Sequence, residues 1–151
     1  MKEKIAIVLG SQSDVERLKE GFNAIDTVKV GYKLEVISAH RHPEKLRAFC
    51  QSIEKQGIEV VIACAGMAAA LPGFIASYVN VPVIGVALQG GLLDGTDALF
   101  SMVSTPKGLG LVCSGVGKAA FINALITALS ILALKDKTYA QKLKQLKASY
   151  R

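Results

Sequence analysis

The chain has 151 residues, the size of one ordinary domain. Half of it is apolar (51%) and only 20% is charged, which excludes a disordered or linker-like chain and leaves enough material for a real core. The net charge of +6 does not describe a nucleic-acid groove, because Lys135, Lys137, Lys142, Lys144, Lys147 and Arg151 stand against Asp136 alone in the last stretch and leave about +1 for everything before it. With no aromatic stacking platform beside it, that excess reads as a solvated helix face, so no nucleic-acid partner is expected.

Along the chain, apolar runs alternate with helical patterns. Lys4 to Leu9 reads as a strand ending at Gly10, followed by a helical pattern through Val15, Leu18 and Phe22 with Ser13 or Asp14 as its cap. Tyr32 to Ile37 reads as a second strand, and Pro43 suits the first turn of a helix over 43–56. Ile58 to Ala63 is a third strand, 70–79 a helix with Pro72 near its start, Val81 to Val86 a fourth strand and 109–113 a weaker fifth. A long apolar helix over 117–134 and an amphipathic one over about 136–149 complete the chain. Strands that are apolar throughout, joined by helices, predict an α/β fold: a three-layer αβα sandwich around a parallel sheet, in one domain over 1–151.

Residues 60–93 carry no charge, but Gly66, Pro72, Gly73, Pro82 and Gly85 divide them into pieces too short to cross a bilayer. The uncharged stretch 119–134 is also short of a span, and a buried or subunit-interface helix is expected there, not a membrane segment. Cys50, Cys64 and Cys113 form no CxxC pair, and Met1-Lys2-Glu3-Lys4 is no signal peptide. Together these predict a reducing, cytoplasmic setting.

In an open parallel sheet, ligands bind beyond the carboxyl ends of the strands. That rule selects four segments. Gly10-Ser11-Gln12-Ser13-Asp14 is a strand-to-helix turn whose N–H groups and hydroxyls suit a phosphate, with Asp14 placed to accept from ribose hydroxyls; equally, it reads as ordinary capping. It matches neither the dinucleotide fingerprint nor the P-loop. Ser38-Ala39-His40-Arg41-His42-Pro43 puts a proton-exchanging histidine beside an arginine suited to phosphate. The bland alternative is a turn cap and a surface ion pair, and His42 reads as exposed and structural.

The small residues of Ala65 to Gly73 admit a flat ligand against backbone amides, or simply a closely packed helix. Gln89-Gly90-Gly91-Leu92-Leu93-Asp94-Gly95 is a glycine-rich loop able to close over a ligand, with Asp94 and Asp97 read as helix-start acids. Two histidines two apart and three scattered cysteines make no metal-ligand set.

These segments resemble the PurE family, the N5-carboxyaminoimidazole ribonucleotide mutases of purine biosynthesis. Gly10 to Asp14 is similar to its GSxSD motif, Ser38 to Pro43 to its SAHRxP motif, and Ala65 to Gly73 to its AGxAAHLPG motif, in the same order and spacing. The resemblance implies a flavodoxin-like sheet, a homo-octamer, and transfer of a carboxylate from N5 to C4 of a phosphoribosyl aminoimidazole without metal or nucleotide cofactor. It implies His40 as general acid and base, and Ser11, Ser13 and Arg41 on the phosphate. Asp14 falls on the ribose, and Ser38 with the backbone of Ala69, Ala70 and Leu71 on the base and carboxylate. Helix 117–134 then serves as a subunit interface.

The chain departs from the family at Ala70, where the motif has a second histidine, at Ser104-Thr105-Pro106 in place of Gln-Met-Pro, at Gly108 to Leu111, which lacks a Pro, and at Gln89-Gly90-Gly91. The alternatives are a direct carboxylase using CO2 and a divergent nucleotide-binding paralogue without this activity. A receiver domain fits poorly, since no phosphoacceptor Asp ends the third strand.

Overall fold

The apolar runs become five short parallel strands, each followed by helix. The computed structural model describes residues 2–151. In chain order the elements are β1 (Ile5–Leu9), α1 (Gln12–Arg17), α2 (Lys19–Thr27), β2 (Tyr32–Val36), α3 (Pro43–Ile53), β3 (Val60–Ala65) and α4 (Ala70–Tyr78). There follow β4 (Val83–Ala87), α5 (Thr96–Val103), β5 (Val112–Val116), α6 (Gly117–Ala133) and α7 (Lys137–Ala148). The strand order is β2-β1-β3-β4-β5, all parallel, which is the flavodoxin-like doubly wound arrangement with its switch point between β1 and β3.

Strand residues alternate between two cores, as the two-residue period of a strand requires. Ile5, Ile7, Leu9, Ile62, Cys64 and Ile84 pack with α2, α6 and α7. Ala6, Val8, Ala63, Ala65, Val83 and Ala87 pack with α3, α4 and α5. The second face carries the smaller side chains, and α5 comes down so closely on β4 that a Cβ at Gly85 would lie 2.9 Å from Met102 Sδ. The central strands β1, β3 and β4 are wholly buried. The outer strands are not: β2 is half-covered, and Val112 of β5 is 59% exposed.

Several expectations are corrected in detail. Ser11, not Ser13 or Asp14, caps the first helix; its Oγ accepts from the Ser13 N–H at 3.2 Å. The single helix expected there is two, meeting at Leu18, whose backbone (φ −101°, ψ 10°) leaves the α region. α5 had no sequence counterpart, because Leu99, Phe100, Met102 and Val103 are apolar on several sides and only Ala98 and Met102 are buried.

The apolar helix α6 is buried along one side by its own chain, while Lys118, Ala119, Asn123 and Thr127 stay exposed. Phe121, Ala124, Leu125, Ala128 and Leu129 are fully buried in the core beneath α7, so its lack of charge reflects a central position between sheet, α2 and α7. Helix α7 is anchored by Tyr139 and Leu146, is capped by Asp136 on the Thr138 N–H (2.8 Å), and sends Lys142 Nζ to the Val28 carbonyl (3.0 Å). Among the described residues no helix is long and apolar enough to cross a membrane.

Candidate active site

The carboxyl edge of the sheet is held in register beyond the strands themselves. Ile37 N–H donates to the Leu9 carbonyl (2.9 Å), Gly10 N–H to Cys64 (3.3 Å) and Leu88 N–H to Ala65 (3.0 Å). The loops after β2, β1, β3 and β4 therefore leave the sheet side by side, at the switch point where an open α/β sheet offers a crevice. All four segments picked out by the strand-end rule lie on this one edge.

Each segment has its own local logic. After β1, Ser11 and Ser13 are exposed and share a 2.8 Å hydroxyl contact at the start of α1. After β2, the Ser38 side chain accepts from the Arg41 N–H (3.2 Å) and its carbonyl from His42 (2.9 Å), a tight turn that leaves His40 and Arg41 exposed. His42 is the residue before α3 and is exposed without a side-chain capping bond, with Pro43 setting the first turn. After β3, Gly66 sits so near the next loop that a Cβ would meet the Leu88 carbonyl at 3.3 Å. Met67 (φ 52°) and Ala69 (φ 40°) are left-handed there, a conformation costly for residues with a Cβ.

Ala69 and Leu71 are buried and Ala70 is exposed. With Leu71 committed to the core, Ala70 and Leu71 offer a ligand their first-turn backbone N–H groups, which have no acceptor inside the helix. Ala70 brings no titratable atom to this turn.

Asp14 differs from its neighbours. Among the described residues it is the one charged residue that is buried, with 7% exposure. Burial raises its carboxyl above the ordinary value, against the opposing pull of the Arg17 guanidinium 3.9 Å away and then of the Ser11 backbone. Beneath it, burial first and the Asp14 charge second hold the Cys64 thiol well above its usual range, so Cys64 is no nucleophile.

Asp94 is not in a helix. It is left-handed (φ 47°), and its carboxylate accepts from the Gly90 N–H (3.0 Å) within the loop; Asp97 does fall in the first turn of α5. Arg17 falls outside the motifs the sequence singles out, and its Nη1 donates to the Gln89 carbonyl at 2.8 Å. Its place one helical turn after Asp14 was the only hint available.

Residues 4–151 match the AIR carboxylase family. The chain belongs to that family. Among AIR carboxylase relatives, the N5-carboxyaminoimidazole ribonucleotide mutase of Escherichia coli (strain K12) is 43% identical over 140 residues, 93% of this chain and 83% of the relative. The protein of the same name from Pyrococcus abyssi is 42% identical over 142 residues, 94% of this chain and 80% of its own. Among solved structures, Treponema denticola PurE superposes with a TM-score of 0.82 at 25% identity, covering 97% of this chain and 90% of that one.

Proposed function

We propose that this AIR carboxylase family member is an N5-carboxyaminoimidazole ribonucleotide mutase, an isomerase that moves a carboxylate from N5 to C4 of the aminoimidazole ribonucleotide in purine biosynthesis. What supports the reading is the pairing of mutase relatives at 42–43% identity with the position of Ser11–Asp14 and Ser38–Arg41 after the neighbouring strands β1 and β2, at the carboxyl edge of the sheet.

In this reading the exposed hydroxyls of Ser11 and Ser13 and the Arg41 guanidinium receive the 5′-phosphate. Asp14 accepts from the ribose. Ser38 and the backbone N–H groups of Ala70 and Leu71, after the turn at Ala69, face the base and carboxylate. His40 carries the proton. The N5–carboxylate bond breaks to release CO2, its electron pair stays on N5, and His40 donates a proton there. CO2, kept in the site, then bonds to C4, and neutral His40 removes the C4 proton to restore the aromatic ring. One histidine thus ends each cycle in the state in which it began, which suits a side chain that exchanges protons near neutral pH. The scheme uses no metal or nucleotide cofactor.

The chain is further proposed to work as a single-domain homo-octamer in a reducing, cytoplasmic setting. Exposed Phe100 and Val112 (60% and 59%) support association, and three free thiols support the compartment.

The test is to supply the N5-carboxylated ribonucleotide without bicarbonate and follow formation of the C4-carboxylated product. Conversion is expected. Turnover only of the uncarboxylated ribonucleotide with CO2 would assign the direct carboxylase instead, and binding without turnover would make the protein a nucleotide-binding paralogue.

A further inference from the structure

The glycine-rich loop between β4 and α5 is built from conformations that do not hold themselves. Gly90 (φ 119°), Gly91 (φ 71°), Asp94 (φ 47°) and Gly95 (φ 93°) are all left-handed, and Leu92 and Leu93 point to solvent at 95% and 55% exposure. No apolar side chain of residues 89–94 anchors this stretch in the core. Its order rests on polar ties. Asp94 accepts from the Gly90 N–H at 3.0 Å inside the loop, and Arg17 Nη1 donates to the Gln89 carbonyl at 2.8 Å from outside it.

The outside tie reaches 72 residues along the chain, from α1 to the far side of β3. Arg17 also faces Asp14 at 3.9 Å, so one guanidinium spans the turn after β1 and the loop after β4. The loop in turn leans on the turn after β3: a Cβ at Gly91 would lie 3.3 Å from Met67 Cγ. Both contacts are made by Nη1, so the hydrogen bond to Gln89 carries the tie and the Asp14 carboxylate adds an opposite charge beside it.

We propose that Arg17 is a positioning residue, tying the 89–95 loop to the phosphate turn so that the loop stands as a wall of the substrate site. This rests on the mutase reading for the identity of the substrate, but not for the tie itself. Arg17 touches neither the reacting atoms nor the phosphate in this scheme; it acts through Gln89 and Asp14. Because its side chain is 55% exposed, its loss should release the loop without unfolding the protein.

The test compares the full-length protein with Arg17→Gln and Arg17→Lys. Amide hydrogen exchange over residues 89–95, read by mass spectrometry, should speed up about tenfold in Arg17→Gln, with exchange in β1 and β3 unchanged. KM for the N5-carboxylated ribonucleotide should rise about tenfold while kcat stays within about threefold, the pattern of lost uniform binding. Arg17→Lys should recover part of both. Unchanged loop exchange in Arg17→Gln overturns the tie, and faster exchange with unchanged KM overturns the wall. If the wild type turns over no substrate, the mutase reading fails. The loop exchange and the affinity for the uncarboxylated ribonucleotide then decide the tie and the wall on their own, with unchanged affinity counting against the wall.

Discussion

Gly21 of α2 lies directly against the ring of Phe121 in α6. A Cβ built at Gly21 would fall 2.5 Å from Phe121 Cε1 and closer still to Cδ1, inside any tolerable contact. Phe121 is fully buried and already packed against Phe22, the ring centroids 5.2 Å apart and the planes tilted by 57°, so the ring has little room to move away. The pair sets how closely the first helical layer sits on the central helix.

Gly21→Ala should therefore destabilise the protein. Helix propensity alone would favour alanine by about 1 kcal/mol, but forcing a methyl group into a filled core costs about 1–3 kcal/mol or more, and the clash should win. Urea denaturation should show a lower midpoint with an unchanged slope, and Phe121→Leu in the same chain should restore part of the loss. A midpoint above wild type would show that the two helices separate freely.

Asp14 should reduce stability at neutral pH. Its folded-state carboxyl is raised above the ordinary value of 3.8, chiefly by burial. For an acid shifted upward, the destabilisation is complete above the folded value and disappears as pH falls to the unfolded one. Asp14→Asn should thus raise the denaturation midpoint at pH 7, and the gain should vanish as pH approaches 3.8. The same variant should bind the ribonucleotide more weakly, since a carboxylate that accepts from ribose is lost. A lower midpoint at pH 7 would mean that Arg17 more than offsets the burial.

Much of this edge is legible in the sequence. Apolar runs such as Ile5–Leu9 and Val60–Ala65 declare buried parallel strands, and the strand-end rule then names the loops. The boundaries were less legible. Ile58 and Val81 look like strand starts, yet pairing begins at Val60 and Val83, because Ile5 pairs with Val60 and Val61 with Val83. Register is a property of neighbours, which a single run of residues does not carry. The same holds for Arg17, whose partner lies 72 positions away, and for Ala69, whose left-handed backbone is imposed by the closely packed turn around Gly66. Helix α6 was readable as buried, but the sequence did not say that its own chain covers it.

Arg41 is exposed at the edge where Ser11 and Ser13 present their hydroxyls. A charge-assisted contact to phosphate contributes about 1.5–3 kcal/mol, so Arg41→Ala should weaken ribonucleotide binding at least about tenfold. Calorimetry with the dephosphorylated nucleoside should show almost no change. Equal losses for both ligands would move Arg41 from the phosphate to the support of its own turn.

His40 and His42 separate the chemistry from its frame. Both are exposed and flank Arg41, but His42 immediately precedes Pro43 at the start of α3, whereas His40 sits in the turn that Ser38 closes onto Arg41. The proposed reaction needs one group that first gives and then takes a proton, and Ala70 has none to offer. Losing a general acid–base group typically costs about 10²–10⁴-fold. His40→Asn should reduce kcat by that order while leaving ribonucleotide affinity within a few-fold, roughly the expectation for a residue that acts mainly in the transition state. His42→Asn should keep kcat within about threefold, since its side chain makes no capping bond to lose. Ordinary turnover in His40→Asn, or an inactive His42→Asn that still binds the ribonucleotide, would transfer the proton chemistry to the other histidine.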